Sequence, residues 1–154
     1  MRIERTTDER TIRNVLGNPT VVHEIWDEER ELPVHVHDSI YWLSVSDEHH
    51  SDGAIEDVQV GIIEFVPMNA ITWNPHIAIL PQYRGLGTQA LKQAVLWMFE
   101  HTPCQKIFAA PPAFNARMIR VFQKCGFHLE GVSPKSFPWR GAIHDRVLMG
   151  LEKE

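Results

Sequence analysis

The sequence predicts an α/β protein, of the α+β kind, with a mixed, mostly antiparallel central sheet of about six to seven strands and helices beside it. Three strand-like runs follow one another between residues 39 and 80, and strands joined by short connections pair antiparallel. Further on, helical patterns alternate with strand-like runs, and a helix between two strands implies that these strands run parallel. We expect residues 1–154 to form a single domain.

The N-terminal part is predicted to be helical. Asp8 can cap a first helix, which Gly17-Asn18-Pro19 ends, and a second short helix is predicted from Thr20. The acidic run Asp27–Glu31 follows. A run of charge usually forms a solvated face, although beside a substrate cleft it would favour a cationic acceptor.

The first strands are predicted from their β-branched and aromatic residues. Ser39–Ser46 reads as a strand, and Asp47–Asp57 as a polar loop. Val58–Val66 and Ile71–Leu80 are predicted as the second and third strands. Because the connections are short, we expect the three to pair antiparallel.

The second half combines helices and strands. Thr88–Glu100 has apolar residues at the three- and four-residue spacing of a helix with one buried face. Asn115 is predicted to cap a second helix, which Gly126 ends. The remaining strands are predicted at 106–110, 127–132 and 142–151, with a loop at 133–141.

Composition excludes several functional classes. Hydrophobic residues make up 44% of the chain and charged residues 23%, as in ordinary globular proteins. The net charge of −5 argues against general nucleic-acid binding, which depends on basic patches. The charged start, Met1–Arg5, argues against a signal peptide, and no apolar run approaches membrane-spanning length. We therefore expect a cytoplasmic protein with neither a nucleic-acid nor a membrane partner.

No metal site is expected. Nine histidines are many for this length, but His35-x-His37 and His49-His50 lie in polar stretches without zinc-like spacing. Cys104 and Cys125 also lack the spacing of a metal or redox motif.

The turn Gln82–Gly87, between the third strand and the following helix, carries the strongest functional signal. The first amides of a helix have no intrahelical partner and carry partial positive charge. Gly85 and Gly87 remove side chains that would keep an anion away from those amides, and Arg84 adds a full positive charge. The turn therefore predicts a phosphate or pyrophosphate site.

Several interpretations of this turn remain open. Gly85-x-Gly87-x-x-Ala90 satisfies a loose dinucleotide fingerprint, but Gln105-Lys106 stands where that fingerprint expects an acidic residue. A Walker loop requires Gly-Lys-Ser/Thr, whereas Thr88 directly follows the last glycine. Gln82-x-x-Gly85-x-Gly87 matches the acyl-CoA turn Gln/Arg-x-x-Gly-x-Gly/Ala at each specified position. In the structural interpretation, the glycines serve backbone geometry alone.

With its neighbours, this turn resembles the GNAT superfamily of acyl-CoA-dependent N-acetyltransferases. Ile77–Gly87 looks like the fourth strand and pyrophosphate turn of that family. Asn115, followed by Phe122–Phe127, is similar to its later helix and to the Gly-Phe that opens the next strand. The order of elements agrees across nearly the whole chain. The resemblance implies a sheet that splays open at the strand ending near Leu80.

The resemblance also implies a function: transfer of an acetyl group from acetyl-CoA, as cosubstrate, to a primary amine by direct attack in a ternary complex. The acceptor would be an unidentified small molecule or peptide, and a homodimer is one assembly that the sequence leaves open. The backbone near Ile77 and Ile79 would pair with the pantetheine arm, which Asn115 would also contact. The implied cofactor-binding residues are Ile77, Ile79, Gln82, Tyr83, Arg84, Gly85, Leu86, Gly87, Thr88 and Asn115.

Two proton transfers need catalytic groups. An ammonium acceptor has to lose a proton before it attacks, and His76 and Glu64 are the candidate bases. In the alternative without a catalytic role, His76 is a hydrogen-bonded strand residue and Glu64 points to solvent. The family commonly protonates the departing thiolate with a tyrosine, but the matching position here is Phe122, which has no proton to donate. Tyr83, in the turn, is a poor substitute.

Phe122 at this position leaves two chemical routes for the departing thiolate, and it also favours a rival to the transferase function. Water or another group protonates the thiolate, or the thiolate, with an ordinary thiol pKa of about 8.5, leaves unprotonated. The rival is a protein that keeps the fold but works as a binding or assembly module. A nucleotide-binding module is a weaker third interpretation, because the acidic residue that the dinucleotide fingerprint expects is missing.

Overall fold

A computed structural model describes residues 1–25 and 34–154 of the chain. In chain order the elements are β1 (Arg2–Thr6), α1 (Glu9–Leu16), α2 (Pro19–Ile25), β2 (Tyr41–Ser51), β3 (Ala54–Pro67), β4 (Thr72–Ile79), a 3₁₀ turn (Pro81–Leu86), α3 (Gly87–His101), β5 (Lys106–Ala109), α4 (Ala116–Lys124), β6 (His128–Trp139) and β7 (Ala142–Glu152).

The seven strands form one mixed sheet in the order β1-β2-β3-β4-β5-β7-β6. β4 and β5 run parallel, and the other neighbouring strands pair antiparallel. The predicted fold class is therefore confirmed. The predicted helices are also present: Asp8 caps α1 by accepting a hydrogen bond from the Arg10 amide, and Asn115 caps α4 by accepting one from the Met118 amide.

The sheet separates two hydrophobic cores because successive side chains of a strand point to opposite faces. Odd-numbered residues of β4, and of β3 from Gly61 onwards, join the core beneath α3 and α4, as Ile63 and Trp73 do. Before the register shift at Val60, the even-numbered Val58 and Val60 of β3 join the same core. Even-numbered residues beyond Gly61, such as Ile62 and Ala78, join the core beneath α1 and α2. Side chains along β4 therefore divide between the α3–α4 face and the α1–α2 face.

The sheet splays open between β4 and β5, as the resemblance implies. These strands pair only at Thr72 with Lys106 and at Trp73 with Ile107. Two residues further along β4, Pro75 has no N–H to donate, so the ladder cannot continue there. The two strands then diverge, and the remainder of β4 borders a gap.

The predicted loop at 47–57 is wrong. β2 continues to Ser51, β3 begins at Ala54, and the two-residue turn Asp52-Gly53 joins them. Both turn residues have positive φ, 47° and 80°, as the favoured two-residue hairpin turns require. The polar composition misled the prediction because both faces of this hairpin end are exposed, so its side chains show no hydrophobic alternation.

The predicted loop at 133–141 is also wrong for most of its length. β6 continues to Trp139, and its register with β7 shifts between Ser133 and Phe137. As an edge strand, β6 accommodates its two prolines. β1, the other edge strand, was missed because Ile3 is its only strongly apolar residue.

Two expectations concern other parts of the chain. The acidic run Asp27–Glu31 lies outside the described residues. Within residues 1–25 and 34–154, no helix is both long enough and apolar enough to cross a membrane.

The close approach of β3 to β4 at Gly61 gives a stability prediction. A Cβ atom at Gly61 would lie 2.7 Å from the Ala78 carbonyl oxygen and 2.5 Å from Ile79 Cδ1. Gly61→Ala is therefore expected to lower the free energy of unfolding by about 1–3 kcal/mol, since backbone has to move. Urea denaturation would measure the loss.

A second strand glycine supplies the control. A Cβ atom at Gly131 would meet Leu148 Cδ1 at 3.8 Å, an ordinary contact. Gly131→Ala should therefore leave the urea midpoint unchanged or raise it. Equal stability of the Gly61 and Gly131 variants would contradict the steric explanation.

Candidate functional site

The gap beside β4 opens into two adjoining cavities. The first, here called the Glu64 cavity, has a volume of about 480 Å³. The second, the Gly87 cavity, has a volume of about 410 Å³. Both are lined by Ile77, Ala78, Asn115, Met118 and Trp139. They therefore form one continuous cleft along β4.

The Gly87 cavity has the features of an anion site. It lies at the start of α3, where no side chain caps the helix and no acidic residue occupies the first turn. Arg84, Arg117 and Arg140 also line it. The Gly87 amide donates to the Arg84 carbonyl, but no side chain caps the amides that follow it. These helix amides and three guanidinium groups favour a negatively charged ligand.

The glycines of this turn are not required by the backbone. Gly87 has φ −59° and ψ −44°, ordinary helical values, and Gly85 is not among the glycines with positive φ. A Cβ atom at Gly87 would meet only Ile79, at 4.0 Å, and one at Gly85 would have no neighbour within 4 Å. Neither the chain geometry nor close packing therefore explains the glycines, which contradicts the structural interpretation. At Gly87, the absent side chain leaves cavity volume.

The backbone of β4 offers hydrogen-bonding groups to the cleft. The Leu80 amide donates to the Val60 carbonyl at 2.9 Å, and the Met68 amide donates to the Thr72 carbonyl at 2.8 Å. In an antiparallel ladder such pairs alternate, so even-numbered residues of β4 face β3. The N–H and C=O groups of Ile77 and Ile79 consequently point into the gap, where an extended ligand could pair with them as an added strand.

The other predicted cofactor residues divide into two groups. Arg84, Gly87 and Asn115 line the Gly87 cavity together with Ile77 and Ile79. The residues that line neither cavity are Gln82, Tyr83, Gly85, Leu86 and Thr88. The side chains of Tyr83 and Leu86 pack against the core beneath α3 and α4, so these residues would reach a ligand only through their backbone. Their roles stay predictions.

Glu64 and His76 form a pair in the Glu64 cavity. They lie opposite each other on β3 and β4, so their side chains project side by side from the α1–α2 face. His76 Nδ1 lies 3.0 Å from Glu64 Oε1. The glutamate side chain is 17% exposed and the histidine side chain 61%. Glu64 is thus held against its partner instead of extending freely into solvent.

This pair is suited to accept a proton. If the histidine donates its Nδ1 hydrogen to the carboxylate, Nε2 keeps a lone pair that can act as a base. The carboxylate fixes the orientation of the imidazole ring and stabilises the positive charge that the ring acquires. Both candidate bases therefore belong to one hydrogen-bonded unit, a relation that the sequence alone did not reveal.

An aromatic wall borders the same cavity and was missed from the sequence. Phe114, Phe137 and Trp139 line it with ring-centroid separations of 6.0 to 6.4 Å, and Trp42 contributes from β2. Phe137 and Trp139 are two positions apart, the spacing of one strand face, but they fall in the segment predicted as a loop. Arg146 is a further missed lining residue.

Phe122 occupies a buried position on α4 and lines the Glu64 cavity. Its ring packs 4.9 Å from the ring of Phe127. It therefore provides an apolar surface to the cleft and has no proton to donate.

Neither cysteine is suited to nucleophilic catalysis. Burial raises the pKa of the Cys104 thiol to about 11 and that of the Cys125 thiol to about 11. Only the thiolate is an effective nucleophile, and both groups stay protonated near neutral pH. A covalent acyl-cysteine is therefore disfavoured.

Away from the cleft, the described residues include one group with the composition of a metal site: His128, Glu130 and Glu152. Lys106 Nζ lies 2.6 Å from Glu130 and 3.6 Å from Glu152, and its hydrogen bond to Glu130 raises its pKa. A lysine ammonium already balances these carboxylates, so the group is an exposed ion-pair cluster.

Comparison with known families gives the class of the protein. A family model described as an acetyltransferase (GNAT) domain matches residues 2–128. The chain therefore belongs to the GNAT family, as its turn and element order indicated. Acetyl-CoA is the cosubstrate of this family, which confirms the predicted cosubstrate.

Individual proteins also resemble the chain. The uncharacterized N-acetyltransferase YokL, derived from the SPbeta prophage of Bacillus subtilis (strain 168), is 28% identical over 85 residues, which are 54% of this chain and 48% of YokL. This match thus spans about half of that relative. Spermidine N(1)-acetyltransferase of Escherichia coli (strain K12) is 24% identical over 148 residues, covering 92% of this chain and 79% of the relative.

Solved structures share the fold. Spermidine N-acetyltransferase from Vibrio cholerae, crystallised in complex with CoA and spermine, superposes with a TM-score of 0.75 at 19% identity. The match covers 98% of this chain and 94% of that structure. The sheet order and the flanking helices are therefore an arrangement already known in acetyltransferases.

The raised cysteine pKa values predict low thiol reactivity. At pH 7.5 we expect iodoacetamide to leave Cys104 and Cys125 of the folded protein unmodified while it alkylates free glutathione completely. Both thiols stay protonated, and Cys104 is buried and Cys125 half-buried. Intact-mass spectrometry would detect any adduct. The urea-unfolded protein, in which both thiols should react, is the control. Rapid labelling of the folded chain would contradict the burial argument.

Proposed function

We propose that the chain is an N-acetyltransferase that transfers an acetyl group from acetyl-CoA to a primary amine held in the Glu64 cavity. One observation carries the proposal: a continuous cleft joins an anion site at a helix start to a hydrogen-bonded Glu64–His76 pair. The first cavity suits a cofactor with phosphate groups, and the second suits an amine that has to be deprotonated. Their shared lining would bring the two substrates together.

The residues of the Gly87 cavity fit CoA. The uncapped amides of α3, with Arg84 beside them, would hold the pyrophosphate, and the space at Gly87 would admit it. The inward-facing N–H and C=O groups of Ile77 and Ile79 would pair with the amides of the pantetheine arm. The Asn115 side chain already caps α4 through its oxygen, which leaves its NH₂ group available to donate to the same arm.

The residues of the Glu64 cavity fit an amine. Acetyl-CoA supplies the acetyl group as a thioester, which passes to the amine nitrogen with release of the thiol. His76 would accept the proton that the ammonium group has to lose, while Glu64 would orient the ring and balance its charge. The aromatic wall would bound the acceptor and exclude water from its apolar part.

The leaving thiolate needs a source other than Phe122 for its proton, because a phenyl ring has none to give. Tyr83 packs against the core beneath α3 and α4, so we assign it no part in this step. We propose that water protonates the thiolate after it leaves.

The relatives support an amine as the acceptor class. The relatives described above from Escherichia coli and Vibrio cholerae are named for acetylation of spermidine, a compound with primary amine groups. Polyamines are therefore the first acceptors to test, beside amines of other kinds. A GNAT-fold protein without transferase activity, acting in binding or assembly, is the alternative, and Phe122 is the observation that favours it.

The Gly87 cavity yields a binding prediction. Gly87→Leu should raise the dissociation constant of acetyl-CoA at least about tenfold, or about 1.4 kcal/mol, because the new side chain would fill the space proposed for the pyrophosphate. Isothermal titration calorimetry would measure the dissociation constant of acetyl-CoA for both proteins. For the native chain, ligand at a hundred times its dissociation constant should add about 2.7 kcal/mol of stability.

Gly87→Ala is the graded control, since its Cβ meets no atom closer than 4.0 Å and should weaken binding less. Both variants should melt close to the native temperature without ligand. Unchanged affinity in the leucine variant would remove the turn from the site. If the native chain shows no stabilisation by saturating acetyl-CoA, the assembly function becomes the better conclusion.

The Glu64–His76 pair yields a kinetic prediction. His76→Ala should lower kcat by about a hundredfold or more and change the dependence of the rate on pH, because the variant lacks the base that the proposed reaction requires. Glu64→Gln, which keeps a hydrogen-bonding side chain without the charge, should cause a smaller loss. A pH–rate profile with the best amine substrate would measure both.

Two controls make this test specific. The dissociation constant of acetyl-CoA should not change in either variant, because neither side chain lines the Gly87 cavity. Added imidazole should partly restore the rate of His76→Ala. A variant that retains the native pH–rate profile would exclude His76 as the base.

A further inference from the structure

Arg146 introduces a positive charge into the Glu64 cavity that acetyl transfer itself does not require. On β7, Val147 and Met149 pack towards the core beneath α3 and α4. Because side chains alternate along a strand, Arg146 projects from the opposite face. That is the face of the Glu64–His76 pair, and all three side chains line the same cavity.

The guanidinium group of Arg146 lacks an anionic partner within the described part of the chain. Its Nε is shielded from solvent and has no hydrogen-bond partner there. No carboxylate among residues 1–25 and 34–154 lies within ion-pair distance of it. The neighbouring Asp145 accepts a hydrogen bond from the Lys135 amide at 2.9 Å. Within residues 1–25 and 34–154, therefore, no carboxylate offsets the desolvation of this partly buried cation, and an anionic ligand would do so.

The position of Arg146 is well fixed. Its backbone pairs with Ser133 of β6 and forms a bridge to Pro112. The adjacent Val147 amide donates to the Pro111 carbonyl at 2.9 Å. The guanidinium carbon lies 5.2 Å from the centre of the Phe137 ring, within the range of a cation–π contact. The strand and the aromatic wall therefore hold the charge in place before any ligand arrives.

We propose that Arg146 binds an oxyanion of the acceptor, so that the substrate is a small amine that also carries a carboxylate or phosphate group. This inference rests on the proposed function and narrows it to a substrate class. The planar guanidinium group matches either oxyanion through paired hydrogen bonds. Glu64 would attract the ammonium end of the same molecule, so the two opposite charges of the cavity would set the direction in which the acceptor binds.

This substrate class differs from that of the spermidine-acetylating relatives. A polyamine carries only positive charge, and in this cavity it would meet Arg146 as well as Glu64. Like charges in a partly desolvated site repel each other. The chain should therefore discriminate against polyamines and in favour of zwitterionic amines.

Matched pairs of amines test the inference. We would compare ω-amino acids of two to six carbons with their carboxamides, O-phosphoethanolamine with ethanolamine, and both sets with spermidine and spermine. Release of the CoA thiol gives kcat/KM, and calorimetry on the CoA-saturated protein gives the affinity for each amine. For at least one acid-bearing amine, kcat/KM and the affinity should exceed those of its neutral mate by about ten- to a hundredfold. This is the factor expected for a charge-assisted hydrogen bond. The series also distinguishes a carboxylate from a phosphate.

Variants of Arg146 then assign the preference to this residue. Arg146→Gln should remove the preference and leave the KM for acetyl-CoA unchanged, because Arg146 does not line the Gly87 cavity. Arg146→Lys, which keeps the charge but not the paired geometry, should retain part of it. Arg146→Glu should reverse it in favour of diamines. Melting curves of the three variants would verify that they fold.

Each result bears on the inference. Equal use and equal binding of acid-bearing amines and their neutral mates would overturn it, as would a preference that survives in Arg146→Gln or spermidine as the best acceptor. If no amine releases thiol, the proposed transferase function fails, but calorimetry still decides the role of Arg146. Selective binding of an acid-bearing amine, lost in Arg146→Gln, would support that role, and the absence of such binding would overturn it.

Discussion

The cleft depends on the missing hydrogen bonds between β4 and β5. A continuous ladder would satisfy the backbone groups of Ile77 and Ile79 and close the sheet against any ligand. Pro75 prevents this, because it has no N–H at the point where the next bond to β5 would form. On its other side, β4 remains paired with β3 along its length, so the open edge is rigid. One proline thus converts part of a sheet into a binding surface.

The two ends of the cleft differ in charge and polarity. At the α3 end, helix amides and arginines create a positive environment suited to phosphates. On the α1–α2 face, the Glu64–His76 pair, the aromatic wall and Arg146 create an environment of mixed charge around an apolar space. Ile77 and Ala78, whose side chains point to opposite faces of β4, line both cavities, so the two parts of the cleft share one wall.

Local sequence patterns predicted the helices, the central strands and the turn before α3, because capping residues, apolar periodicity and glycine placement are local signals. They did not predict the edges of the sheet. Arg2–Thr6 contains one strongly apolar residue, Ile3, which is too few to show an alternation. The far end of the β2–β3 hairpin is exposed on both faces, so burial leaves no alternation in its sequence. The prolines of β6 also led to the prediction of a loop, although an edge strand accommodates them.

Single lining residues of the cleft, such as Gly87, Glu64 and His76, were named from the sequence, but the contacts between them were not. The hydrogen bond between Glu64 and His76, for example, joins residues of two strands. Arg146 reaches the same cavity from a third strand, seventy positions beyond His76 by residue number. Long-range pairing of this kind depends on strand register, which composition and periodicity do not determine.

The weak junction between β4 and β5 also divides the molecule along its sequence. β1 to β4 come from residues 2–79 and β5 to β7 from residues 106–152, and the two sets of strands share only two paired positions. Most backbone pairing in each set joins strands that are close in the chain, and such local contacts form fastest during folding. The cleft itself requires both sets to meet. Competence to bind ligand is therefore expected to arise late in folding, after each half has formed its own hairpins.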